Sequence, residues 1–352
     1  MKGLVLSGGL GTRLRPLTYS QQKQLIPVAN KPILFYAIED LIEAGVHDIG
    51  IIVGPNKNLV IETVRSVEWD ANIKFIQQEA PLGIAHAIKI SKDFIGDDSF
   101  IMYLGDNILK DGVVDQVLDF ENSDCECSIL LMKVDNPEAF GIALLNDNNE
   151  VVKLIEKPKN PLSNLAVIGV YLFRSKVFNA VEEIKPSNRN LLEITDAVQW
   201  LIDHGYKVKS TLVTKWWKDT GKPEDILEAN RLILDDLDPE TSVKVKGKIR
   251  GRVSIGKGTK LNENSVIKGP AIIGRDCLIK DSYIGPYTSI GNNCKIINSE
   301  LEDSVVMDGV KLVNIGNIID SLIGRDVTME KNNSLPKGNK FIIGDSSRVR
   351  LE

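Results

Sequence analysis

Histidine is scarce in this sequence: His47, His86 and His204 are the only three in 352 residues. Scattered as they are, they assemble neither a Ser-His-Asp nucleophile nor a histidine metal site. His86 lies near a candidate binding segment but reads as a surface or packing residue. Cysteine is nearly as thin, and Cys125, Cys127, Cys277 and Cys294 show neither zinc spacing nor a Cys-x-x-Cys redox pair. They read as small core hydrophobes. There is no excess of positive charge, since 43 Lys and Arg face 48 Asp and Glu for a net charge of −5, without a basic run. That balance gives no support to nucleic-acid or membrane-surface binding as a main activity. Long apolar runs are also missing. The first, Leu4 to Leu6, is broken by Ser7 and Gly8, too early for a signal peptide, and no later segment reaches the length of a membrane span. A soluble cytoplasmic chain is the expectation, and 43% apolar residues supply a sizeable core.

What is present begins with "LSGGLGTRLRPLT", residues 6 to 18, directly behind that short apolar run. Glycines after a strand let a ligand approach the backbone, and phosphate is the usual guest. The Walker spacing fails, because no Lys-Ser or Lys-Thr follows the last glycine. The dinucleotide spacing fails too, because Leu14 stands where a third glycine belongs. Arg13 and Arg15 follow instead, so the loop offers guanidinium groups suited to a polyphosphate. A plain strand-to-helix turn with exposed arginines is the alternative.

Two periods divide the chain. In the first part, "DIGIIVG" (48–54), "SFIMYLGD" (99–106), "CSILLMKV" (127–134) and "LAVIGVYLF" (165–173) read as buried strands. Residues 32–45 and 224–237 read as helices, the first opened by proline and closed by Gly45. Strands alternating with helices imply a mostly parallel α/β sheet, whose ligands bind at the carboxyl ends of the strands. Gly8 to Arg13 and Asp106 fall there. After "DDLDPETSVKVKGKIRG" the texture changes. Aliphatic residues recur at Ile255, Leu261, Ile267, Ile273, Ile279, Ile284, Ile290, Ile296, Leu301, Met307, Val313, Ile318, Ile323 and Met329, in steps of five or six. Such a period builds a parallel β-helix with one aliphatic stacked inward per face; a sandwich of short strands is the alternative.

Several polar groups fall at strand ends or in loops of the first part. Lys23, close behind the glycine loop, suits a phosphate contact or plain solvation. Asp106 follows an apolar strand and a glycine, and Asp219 is comparable; an aspartate at such an edge is a metal ligand or a turn former, and spacing alone does not separate the two. Converging at one sheet edge, both aspartates would form a hard oxygen site for Mg²⁺ bridging phosphates. Glu156 and Lys157 put an acceptor beside a cation, which suits a sugar hydroxyl and its phosphate or, equally, a plain solvated pair. Cations plus a metal site, without a covalent nucleophile, fit direct phosphoryl or nucleotidyl transfer.

The segments "LSGGLGTRLRPLT", "KQLIPVANKP", "QQEAPLGIAHA", "LGDN", "FGIA", "EKP", "LAVIGVYLF", "SNRNLLEITD" and "WWKDTGKPEDILEANR" together resemble the sugar-1-phosphate nucleotidylyltransferases, and most closely the long-form glucose-1-phosphate thymidylyltransferases. The resemblance implies a Rossmann-like, GT-A-like nucleotidyltransferase domain with a mixed, mostly parallel sheet over residues 1–240. A left-handed parallel β-helix over residues 241–352 follows it. It implies that Leu6, Gly8, Gly9, Gly11 and Thr12 line the nucleotide, that Arg13 and Lys23 meet its phosphates, and that Gln78 and Gly83 contact the base. Asp106 and Asp219 would hold Mg²⁺, with Arg13, Lys23 and both aspartates as the catalytic set. Gly141, Glu156 and Val167 would meet the sugar, and Lys157 and Arg189 its phosphate. The reaction implied joins dTTP, or UTP, to glucose 1-phosphate with loss of pyrophosphate. Leu82, His86, Phe140 and Lys218 depart from the short enzymes of the family and match its long forms. Two rivals are a bifunctional enzyme with an acyltransferase β-helix, which would need a histidine after His204, and a silent regulatory subunit, which would be expected to have lost phosphate or metal groups. The β-helix is expected to serve assembly or regulation in a homo-oligomer.

Overall fold

The apolar opening forms a strand, Lys2–Ser7, buried because it is flanked on both sides by parallel neighbours, Asp48–Val53 and Phe100–Leu104. The computed structural model describes residues 1–55, 57–148, 150–239, 245–331 and 344–349. They form two units, Met1–Leu10 with Ile33–Asp219, and Gly11–Pro32 with Thr220–Glu352. The domain boundary expected at 240–241 lies outside the described residues.

In the first unit the sheet runs Val151–Glu156, Gly141–Leu145, Leu165–Phe173, Phe100–Leu104, Lys2–Ser7, Asp48–Val53, Asn72–Gln77. The strand Cys127–Lys133 branches from Leu165–Phe173 and carries Val208–Leu212 in parallel. The centre is parallel, and Leu165–Phe173 is antiparallel to its neighbours, as in a mixed sheet. Pairing with Cys127–Lys133 shifts register between Ile168 and Tyr171. That irregularity falls on Gly169, where a Cβ would stand only 2.7 Å from the Asn107 side-chain oxygen. Glycine in a strand interior often marks such a close approach. The helix Ile33–Glu43 buries Ile33, Leu34, Ala37, Ile38 and Leu41, one face at three- and four-residue steps. Gly45 follows it at φ 75°, a conformation suited to a helix end. Among the described residues no helix is long and apolar enough to cross a membrane.

The second unit contains the C-terminal left-handed β-helix, three faces of five parallel strands each. Register stacks like on like, for example Ile267 on Ile284 on Leu301 on Ile318. Asp281, Asn298, Asp303, Asn314 and Asp320 occupy corners at φ 46–58°, where a short polar side chain tolerates the left-handed region. The expected repeat slips in its last third. Val306 and Leu312, not Met307 and Val313, join the inward aliphatic core. Met307 is buried elsewhere, and Met329, on the last strand of its face, is 37% exposed. The reason is that two apolar residues adjoin at 306–307 and again at 312–313, so periodicity alone leaves the phase open by one residue.

Candidate active site

Parallel register brings the ends of three strands to one edge of the first unit. Gly105 N–H donates to Leu6 O at 3.0 Å, and a Cβ on Gly105 would be 2.9 Å from that same oxygen. A Cβ on Gly54 would lie 2.8 Å from Gly8 O. The backbone at Leu6 and Gly8 is thus crowded by neighbouring backbone, which glycine permits. Gly9 follows, exposed.

Gln78 stands beside this edge. Its Nε2 lies 3.1 Å from Gly83 O and 3.1 Å from His86 Nδ1. A carbonyl oxygen only accepts, so the atom facing Gly83 is the amide nitrogen, and Nδ1 of a neutral His86 is its second acceptor. Burial, and then Lys89, hold the His86 pKa below its ordinary value. The Gln78 Oε1 is left on the side of Gly8, 3.3 Å from where a Cβ there would be. Gly83 itself has φ 107°, and a side chain on it would strike Leu192. His86, expected as a surface or packing residue, is a hydrogen-bond partner of a site candidate.

Asp106 is buried at 8% exposure, and its Oδ1 accepts from Asn107 Nδ2 at 3.1 Å. The short strand Asn107–Leu109 pairs antiparallel with Trp217–Asp219, setting Asp219 opposite Asn107. Asn107 Oδ1 accepts from Trp217 Nε1 at 2.6 Å. The two aspartates, distant in sequence, therefore occupy adjoining positions at one end of a two-strand ladder. Asn107 and Trp217 were not singled out in the sequence, although both lie inside the family segments "LGDN" and "WWKD".

A third group surrounds Glu156, which pairs across its ladder with Gly141. Its Oε1 accepts from Arg189 Nη2 at 2.8 Å and its Oε2 from Thr195 Oγ1 at 3.3 Å. Arg189 Nε also donates to Glu193 Oε1 at 3.0 Å, an oxygen that accepts from Ser187 Oγ at 2.7 Å. Partial burial works against the Arg189 charge, but Glu193 and Glu156 outweigh it and raise its pKa. A Cβ on Gly141 would fall 2.8 Å from Thr195 Cγ2 and 3.3 Å from Glu156 Oε2, so the strand runs close against this cluster. Val167 is buried in the apolar core, one residue beyond the Ala166–Ile142 pair. Lys157 is exposed, at φ 43°, with its N–H on Phe140 O at 3.0 Å.

Gly11, Thr12, Arg13 and Lys23 belong to the second unit, so the glycine loop changes unit at the Leu10–Gly11 bond. Gly11 has φ 61°, and its carbonyl accepts from Thr18 Oγ1 at 2.7 Å. A Cβ on it would meet Thr18 at 2.9 Å and Lys23 Cβ at 3.0 Å, so the loop curls tightly back toward Lys23. Thr12 and Arg13 are exposed on the following turn, and a Cβ on Gly221 would lie 2.7 Å from Arg13 Nη2.

Three comparisons bear on this geometry. The Nucleotidyl transferase family model matches residues 2–236. Along its whole length the chain is 44% identical to a glucose-1-phosphate thymidylyltransferase of Streptomyces griseus, covering 99% of that protein. It is 46% identical to a low-salt glycan biosynthesis nucleotidyltransferase of Haloferax volcanii, covering all of it. A Bacillus anthracis structure holding sucrose, provisionally named a glucose-1-phosphate thymidylyltransferase, superposes with a TM-score of 0.63 at 36% identity. The match covers 68% of this chain and 98% of that one.

Proposed function

Because the chain belongs to the nucleotidyl transferase family, we propose that it transfers the nucleotidyl group of dTTP to glucose 1-phosphate, giving dTDP-glucose and pyrophosphate. The observation that carries this reading is the pairing of Asn107 with Asp219, which sets Asp219 opposite the residue that follows Asp106. Two carboxylates form a hard oxygen donor set of the kind that suits Mg²⁺, and Asp106 and Asp219 are the residues that would hold it. When bound there, Mg²⁺ supplies Lewis-acid stabilisation of the phosphate charge.

The remaining roles follow from position and chemistry. Leu6, Gly8, Gly9, Gly11 and Thr12 line the nucleotide, with Arg13 and Lys23 neutralising its phosphates. Gly83 shapes the base pocket, and Gln78 presents Oε1, because its Nε2 is already shared between Gly83 O and His86. An amide oxygen accepts from the N3–H of thymine or uracil but finds no donor at N3 of cytosine, which is itself an acceptor. Gly141, Glu156 and Val167 meet the sugar; Lys157 and Arg189 hold its phosphate. The sugar-phosphate oxygen then attacks the α-phosphorus in line, forming one P–O bond as the bond to the leaving pyrophosphate breaks. That oxygen is already anionic at neutral pH, so no general base is required, in keeping with the few histidines.

UTP is the second reading, favoured by the same Gln78 oxygen, because a pocket separates thymine from uracil by one methyl, worth about 1–3 kcal/mol. The β-helix as an acyltransferase is disfavoured because no histidine follows His204. A silent subunit is disfavoured by the presence of Arg13, Lys23, Asp106 and Asp219. We assign catalysis to residues 1–240 and the β-helix to 241–352, in a homo-oligomer of the cytoplasm, where the four free cysteines stay reduced. Light scattering of the full chain tests the oligomer. The reaction is tested by pyrophosphate release with Mg²⁺, glucose 1-phosphate and each of dTTP, UTP, CTP, ATP and GTP. A dTTP preference supports the assignment, a UTP preference moves it to the second reading, and silence with all five overturns it.

A further inference from the structure

The segment carrying Arg13 and Lys23 packs with the β-helix, in one unit. It ends in a hairpin, Pro27–Val28 paired with Lys31–Pro32. The two turn residues, Ala29 and Asn30, have φ 46° and 62°. A turn with positive φ at both positions favours Asn-Gly or Gly-Gly. Alanine there is strained, and such strain persists where surrounding contacts fix it.

Those contacts come from the β-helix and from the helix Pro223–Asp235. Asn230, on that helix, is 1% exposed. Its Oδ1 accepts from Ala29 N–H at 2.9 Å and from Ser289 Oγ at 2.6 Å, while its Nδ2 donates to Tyr287 O at 2.9 Å. One buried amide thus ties the strained turn to a coil of the β-helix. Asn30 Nδ2 donates to Ile290 O at 2.7 Å, and Gln21 Nε2 lies 3.4 Å from Met307 Sδ. A Cβ on Gly324 would meet Leu17 Cδ2 at 3.0 Å and no other described atom within 4 Å. Ile290, Met307 and Gly324 sit on successive coils. The segment is therefore laid down the stack with one contact per coil, at Asn30, Gln21 and Leu17. Arg231, beside Asn230, is bonded to Asp303 and Asp320, which fastens the same helix to two corners of the β-helix.

We propose that Asn230 is a positioning residue for the phosphate-handling segment, and that the β-helix is the template on which Arg13 and Lys23 are set. This rests on the reading of those two cations as triphosphate ligands. Small misplacements of such groups, made far from the chemistry, reduce rate heavily.

Two full-length variants test the proposal. Asn230→Ala removes the tie to Ala29. Gly324→Leu lies away from the Asn230 bonds, and its Cβ would press on Leu17 Cδ2, so it decides the matter if Asn230→Ala fails to fold. In both, amides of residues 12–31 are expected to exchange with solvent about tenfold faster than in the wild type, with no change in Leu165–Phe173. The KM for dTTP is expected to rise about tenfold while that for glucose 1-phosphate stays within about twofold. Unchanged exchange over 12–31 in the folded variants overturns the proposal. So does a lowered melting temperature with both KM values unmoved, which is the mark of a merely structural role. Exchange needs no turnover, so a wild type silent toward dTTP would refute the assigned reaction and leave the template to be decided by exchange alone.

Discussion

Arg189 is held by Glu156, with 2.8 Å between Nη2 and Oε1, although a strand, a helix and 32 intervening residues separate them in the chain. The same guanidinium reaches Glu193, whose side chain is only 9% exposed. This fork is what a sugar phosphate would meet. A planar guanidinium can serve a carboxylate and a phosphate at once, whereas an ammonium offers a single point of charge.

Arg189→Lys is therefore expected to raise the KM for glucose 1-phosphate about tenfold, with the KM for dTTP unchanged. Arg189→Ala should in addition lower stability by about 1 kcal/mol, since it leaves Glu193 without its cation. The figure is kept small because Arg189 is 42% exposed and solvent screens the pair. Initial rates and thermal melts separate the two effects, and equal changes in both KM values would remove Arg189 from the sugar-phosphate site.

The Gln78–His86 bond gives a pH dependence. Burial, with Lys89, lowers the His86 pKa from 6.5, so the unfolded chain binds this proton more readily than the folded one. The stability tied to the neutral ring is whole above 6.5 and is lost as pH falls from there through the folded pKa. A protonated ring cannot accept from Gln78 Nε2. The KM for dTTP should be flat above pH 7 and rise as the pH falls below 6.5 through the lowered folded pKa, and His86→Ala should abolish that rise. With only three histidines in the chain, NMR titration of their ring protons would identify the group directly.

Much of this architecture was legible in the sequence, because burial writes itself as period. The strands at 48–53, 100–104, 127–133 and 165–173 are short apolar runs with no other plausible home. The inward stack from Ile255 to Leu301 needed only its spacing of five or six residues. At Val306 and Leu312 the reading slipped, because adjoining apolar residues leave the phase undetermined and only packing chooses. Asn107 was hidden for a different reason. Its value lies in its partners, Asp106, Trp217 and Asp219, and hydrogen bonds between distant strands leave no periodic trace. The attachment of residues 11–32 to the β-helix was likewise invisible, since Asn30 and Asn230 look like any turn and helix asparagines until Ile290 and Ala29 stand beside them.

Gly169 offers a prediction about geometry without touching charge. A methyl there would stand 2.7 Å from Asn107 Oδ1 and 2.8 Å from Leu104 Cγ. Asn107 is buried and Leu104 half-buried, so Gly169→Ala must shift Asn107, Leu104 or the strand. The expected cost is about 1–3 kcal/mol of stability together with a fall in kcat of about tenfold, as Asn107 loses its place between Asp106 and Trp217. A variant with wild-type melting and rate would show that this contact relaxes freely.

Asp106 and Asp219 give the sharpest test of the proposed chemistry. Asparagine keeps the shape of each side chain but removes the charge a divalent cation needs, so either Asp106→Asn or Asp219→Asn should reduce pyrophosphate release by about 10²–10³. Stability should hold, because Asp219 lies in a ladder whose backbone pairing with Asn107 the substitution leaves intact. The wild type stripped with EDTA should fall equally far and recover with added Mg²⁺, while the variants should not recover at ordinary Mg²⁺ concentrations. Full activity in Asp219→Asn would take that residue out of the metal site and leave Asp106, already bonded to Asn107, to be explained as a structural carboxylate.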